Sequence, residues 1–142
     1  MDFATGCLRI AASSWNLNVS YPIILANRNN EVEFVELPEE VKDVRQLHTF
    51  LEKYAEDDTL DALAVVSEVW FDVVTFGKPL QLSCKHPDAQ DGLAVTLICR
   101  NKSYVTVAQI KDGEIGPFSF WRILSGGRFS GIRLGSKLDK AV

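Results

Sequence analysis

Glu68 is the acidic side chain whose setting most needs an explanation. It falls inside the run Leu60 to Val74, LDALAVVSEVWFDVV, where β-branched and aromatic residues favour a strand. Two-residue alternation places it on one strand face with Ala64, Val66 and Trp70. A carboxylate among such neighbours has to be neutralised, paired or set at a cavity, because an unpaired buried charge is costly. One expectation makes Glu68 a general base or metal ligand with a raised pKa. The other makes it a structural ion-pair partner of Arg100 or Arg122, both in neighbouring strand candidates, or sets it on an exposed sheet face. A second cluster is Ser83-Cys84-Lys85-His86-Pro87-Asp88, followed by Asp91. Imidazole and carboxylates are donors for a divalent ion, so His86, Asp88 and Asp91 form a candidate ligand group. Their crowding on one loop matches no standard zinc spacing. The same residues also suit a turn, with Pro87 fixing φ and an aspartate bonding nearby backbone.

Two resemblances attach to these residues. Pro87-Asp88, an apolar strand and then Gln109-Ile110-Lys111 resemble a degenerate form of the nuclease motif in which Pro-Asp precedes acid-x-Lys. That resemblance implies Glu68, Asp88 and Lys111 as a catalytic set, with Glu68 and Asp88 holding Mg²⁺. Gln109 stands where the family has an acid, which removes one metal-binding charge. Ser67-Glu68-Val69-Trp70, Ser83, Pro87-Asp88 and Asp91-Gly92-Leu93-Ala94-Val95 also resemble a pattern in a family of small bacterial and phage proteins with no assigned function. There a Ser-Glu-x-Trp strand precedes a Ser…Pro-Asp loop and a further apolar strand. This likeness covers residues 65–100, implies no reaction, and leads us to expect Glu68, Trp70 and Asp88 to meet in space.

A third group lies near the C-terminus. Trp121, Arg122, Arg128 and Arg133, with Phe118, Phe120 and Phe129, interleave aromatic and basic side chains as a nucleic-acid or partner surface does. The Ser125-Gly126-Gly127 step reads equally as a plain turn between strands. A net charge of −4 also differs from the basic balance of most nucleic-acid binders. The acids concentrate between 31 and 61, and the bases dominate after 78; such asymmetry can mark a partner face or merely one solvated helix. His48 adjoins the apolar stripe of a helix, and Cys7, Cys84 and Cys99 read as core thiols.

The elements that must carry these residues follow from periodicity. At 142 residues and 46% hydrophobic, the chain reads as a single α+β domain, 1–142, able to bury its own core. Residues 2–14 suit a short N-terminal helix, with Phe3, Cys7, Ile10 and Ala11 near helical spacing. Pro22 to Arg28 and Glu31 to Leu37 form a hairpin about Asn29-Asn30, with Val32 and Phe34 expected inward and a phase slip at Val35. Val41, Val44, Leu47, Leu51 and Tyr54 make one apolar stripe on a main helix over 40–55, started by Pro38 and the acids after it. Residues 62–74 are the expected central strand and 77–90 a loop. Gly92 to Arg100 and Tyr104 to Lys111 form a second hairpin, with a further strand pair over 116–124 and 129–134 and a frayed end over 135–142. The sum is a mostly antiparallel sheet of five to six strands with the main helix packed on one face.

Three expectations of function follow. The first is a non-catalytic interaction or adaptor domain of the bacterial or phage cytoplasm, working as a homodimer or on a protein partner. The second is a Mg²⁺-dependent nuclease-like enzyme using Glu68, Asp88 and Lys111. The third is a nucleic-acid module built on the basic C-terminal half. No apolar run approaches the roughly 20 residues needed to span a bilayer, and Asp2 and Arg9 spoil the N-terminus as an export signal. The odd, widely spaced cysteines fit reduced thiols in a cytoplasmic protein.

Overall fold

The computed structural model describes residues 2–71 and 90–124, together with Phe129, Ile132 and Leu134. The elements run α1 (Phe3–Asn16), β1 (Ile23–Arg28), β2 (Glu31–Val35), α2 (Val44–Tyr54), β3 (Leu60–Phe71), β4 (Gln90–Ile98), β5 (Ser103–Lys111), β6 (Glu114–Phe118) and β7 (Arg122–Ile123). All pairings are antiparallel, in the order β2-β1-β3-β4-β5-β6, and the two residues of β7 pair with the far end of β5. This is the α+β sheet expected from alternation and short connections.

β3 sits in the middle of the order, and its residues Ala62 to Val66 are buried on both faces. A strand covered on both sides has to be apolar at every position, which is why its sequence reads as a continuous run. On one face Ile24, Leu63, Val65, Ala94, Val105 and Val107 pack with Leu47, Leu51 and Ala55 from the α2 region. Phe129, Ile132 and Leu134 bury in that same layer. On the other face Leu25, Ala64, Val66, Leu93 and Val95 pack with Cys7 and Ala11 of α1. The two helices therefore cover opposite faces of one sheet.

Local chemistry sets both helices. The Asp2 carboxylate accepts from Thr5 N–H at 2.8 Å and caps α1; Cys7, Ala11 and Ser14 then fall on its buried stripe. Asn18, at φ 58°, stops it: Asn18 N–H bonds Trp15 O and Val19 N–H bonds Ser14 O, a Schellman close. α2 begins at Val44, later than the expected 40. Asp43 supplies its cap by accepting from Gln46 N–H at 2.8 Å, and Val41 N–H closes a turn onto Pro38 O beforehand. Pro38 thus opens a turn, not the helix, and Val41 packs on the core from outside it. A cap aspartate with an N–H in reach outweighed proline in placing the start.

The β1–β2 hairpin is the predicted one, turning at Asn29 (φ 53°) and Asn30 (φ 63°). One expectation fails there. Val32 and Phe34 do not point into the core; they are 46% and 68% exposed. Val35 and Leu37, past the phase slip, pack inward against the α2-side layer. The last strands also differ from expectation. β5 turns at Asp112-Gly113, both at positive φ, straight into β6, and β7 then returns to pair with Tyr104 and Val105. The expected 116–124 strand is thereby split at Ser119-Phe120. Buried Thr106 donates to Ser119 O at 2.5 Å, and Ser119 Oγ accepts from Val107 N–H, holding that break in place. Phe129 and Leu134 lie in turns. The 72–74 end of the central strand, the 77–90 loop up to residue 89, the Ser125-Gly126-Gly127 turn and the 135–142 tail lie outside the described residues.

Candidate functional site

The β1–β2 hairpin forms one border of the sheet, and β2 has a neighbour on one side only. In an antiparallel hairpin closed by two residues, Arg28 and Glu31 form the first hydrogen-bonded pair, and bonded and non-bonded pairs alternate from there. Glu31, Glu33 and Val35 therefore spend their backbone groups on β1. Val32 and Phe34 direct theirs away from the sheet, and among the described residues no strand pairs with that edge.

The side chains sort in the same way. Val32 and Phe34 project onto the α1 side, yet α1 lies nearest β4 and β6 and leaves both of them exposed. The closing turn of α1 instead brings Leu17 (74% exposed) and Val19 (42%) alongside Phe34. Arg9, Ile10, Ile23 and Phe34 help line a shallow groove of about 320 Å³ there. Glu31 and Glu33 project to the α2 side. Glu33 Oε1 receives Arg28 at 3.1 Å and Tyr54 OH at 3.4 Å. Arg28 also reaches Asp57 Oδ2 at 2.6 Å and the Thr59 hydroxyl. That contact with the guanidinium holds the Asp57 carboxyl down at about 2, with the Thr59 bonds adding to it. The hairpin is thus tied to the end of α2 through Arg28.

The residues singled out from sequence are dispersed. Glu68 lies in β3 opposite Leu93, two residues beyond the last β1 partner, Val66. It is exposed, not enclosed among apolar neighbours, because β1 ends there and α1 does not extend over it. It borders a cleft of about 460 Å³ with Tyr21, Lys42, Asp43, Ser67 and Phe129. Neither expected arginine is its partner strand neighbour: Arg100 donates to Asp58 O at 3.4 Å, and Arg122 sits on β7 beside β5. Lys111 and Gln109 are exposed on β5, and alternation from buried Val107 puts both on the α2 side. Glu68 follows the alternation of Ala64 and Val66 but borders the α2-side cleft where β1 has ended. β4 lies between the strands of Glu68 and Lys111, and Glu68 aligns through Leu93 with Ala108, three residues short of Lys111.

Ser83, Cys84, His86, Asp88, Arg128 and Arg133 lie outside the described residues. Asp91 is exposed on β4. Among the described residues, no three His, Cys, Asp or Glu side chains gather as a metal site. Trp121 is half-buried against the α1-side layer, while Phe120 beside it is 93% exposed. His48 pairs with Glu52 one turn along α2. Cys7 is buried, which pushes its thiol up to about 12, and burial raises Cys99 as well; neither is poised as a nucleophile. No described helix is long and apolar enough to cross a membrane.

The edge formed by Val32 and Phe34 is what sequence reasoning missed. Its one available signal was the slip at Val35: once Val35 and Leu37 face inward, the preceding even-numbered residues must face out. Comparison with protein-family models, with curated proteins and with solved structures yields no match.

Proposed function

We propose that this chain is a non-catalytic protein-interaction domain that receives an extended strand of a partner protein along the outer edge of β2. The observation that carries the reading is the state of that edge. It runs five residues in unbroken register, with two exposed apolar side chains and outward backbone groups that no described strand takes up. Such an edge is a template for strand addition: main-chain bonds provide affinity and alternate side chains provide selectivity. A magnesium-dependent nuclease draws less support. Glu68 and Lys111 lie on strands separated by β4 and are three residues out of register, and Gln109 occupies the position of an acid.

The test is selection from a displayed library of random octapeptides, followed by mapping on the ¹⁵N-labelled protein. Binders are expected to shift and protect the Val32 and Phe34 amides and to be lost on Val32→Lys with Phe34→Lys. A library that yields no binder, or binders that leave the β2 amides untouched, overturns the reading.

A further inference from the structure

The chemistry of the β2 edge narrows the partner. On the α2 side the row is Glu31, Glu33 and Val35, and the exposed segment after the strand adds the acids Glu36, Glu39 and Glu40. The nearest base, Arg28, is already engaged by Asp57 and Glu33, and its contacts to Glu33 all fall on Oε1. On the α1 side the row is Val32 and Phe34, extended by Leu17 and Val19. Arg9 lines this groove, so a cation arriving on this side meets a like charge.

Self-pairing is disfavoured by the same residues. Two β2 strands aligned antiparallel about Glu33 place Glu33 against its copy, and alignment about Val32 places Glu31 against Glu33. Like charges directly opposite oppose pairing. Alignment about Phe34 escapes this, but it sets Val32 against Glu36 and still joins two chains of net charge −4.

Resting on the interaction reading above, we infer that the partner strand alternates cationic with apolar residues. Its lysines or arginines lie beside Glu31 and Glu33, and its apolar residues cover Val32, Phe34 and Leu17. Each opposite-charge cross-strand pair changes affinity by roughly 1.5- to 5-fold. Reversing the sign at two such positions therefore changes affinity on the order of tenfold.

The probes are two octapeptides with blocked ends, one alternating valine with lysine and the other valine with glutamate. Each is titrated into the ¹⁵N-labelled full chain at low salt and again at 0.5 M salt, beside sedimentation of the protein alone. The lysine peptide is expected to perturb the Val32 and Phe34 amides and to bind about tenfold or more tightly than the glutamate peptide. That advantage should shrink at high salt, where screening shortens to a few ångströms, and on Glu31→Gln. Equal affinity at β2 overturns the charge rule and leaves strand addition standing. A dimer that Phe34→Lys converts to monomer also overturns it, giving the edge to a second copy. Perturbation confined to residues away from β2, or no binding by a monomeric protein, overturns this inference and the interaction reading together.

Discussion

At one border of the sheet β6 carries Pro117, an extra residue between Ile115 and Phe118, and a helix laid beside it; at the other, β2 runs in unbroken register with Val32 and Phe34 in solvent. Pro117 offers no N–H to an incoming strand. The register shift opposite Ala108 and Ile110 bends β6 away from a flat edge. Trp15 of α1 donates its indole N–H to Gly113 O at 3.0 Å, and Ile115 and Phe118 pack into the α1-side layer. β2 has none of these protections. It has no proline, no lysine and no bulge against β1, and glutamates alternate with its apolar residues. Edges left open in this way invite pairing, and natural sheets normally blunt them. The contrast teaches that one border is closed by local sequence and a docked helix together, while the other is held flat and left available.

Four substitutions sharpen or break that contrast. The largest effect is expected at Leu25, a fully buried β1 residue beneath Phe34 in register. Leu25→Ala should cost about 2–5 kcal/mol in urea unfolding. Because β1 is the one strand paired with β2 among the described residues, the hairpin amides should lose hydrogen-exchange protection before those of β5 and β6; simultaneous loss across all strands would mean that β2 is no more weakly held than β6. A matched pair comes next. Ile115→Thr in β6 removes half-buried apolar surface and should cost about 1 kcal/mol, whereas Val32→Thr on the exposed edge should stay within about 0.5 kcal/mol. Equal midpoint shifts for the two would show that β2 is as covered as β6. The smallest effect concerns pH. Asp57 titrates at about 2 in the fold against an ordinary 3.8. Its contribution is therefore complete above the ordinary value and disappears as pH falls through about 2. Asp57→Asn should be less stable than the parent at pH 7, with the gap closing by pH 2; the margin is small because about a third of the side chain faces solvent. A gap unchanged at pH 2 would remove Arg28–Asp57 as the tie that keeps the hairpin against α2.

Much of this architecture was legible from residue order. Asn29-Asn30 announced a turn needing positive φ, the apolar run from Leu60 announced a strand covered on both faces, and Leu47, Leu51 and Tyr54 announced a helix face. The β5–β6 turn was harder to read. Asp112-Gly113 is a strong turn pair, yet the apolar residues on either side of Ser119 suggested one later strand instead of two short ones. The site was largely illegible. Glu68 looked enclosed because its own strand is apolar, and strand sequence says nothing about where the neighbouring strand ends.

Sequence alone determined which residues alternate, where the chain turns and which helix faces are apolar, because these depend on neighbours within a few residues. Only the tertiary structure decided what each face meets. Period-two alternation establishes that Val32 and Phe34 share a side, but not whether a helix covers that side. The order β2-β1-β3-β4-β5-β6 and the placement of α1 over β4 and β6 left them in solvent. Burial is a property of the assembled layers, and that is why an apparent core pair became the exposed edge of the sheet.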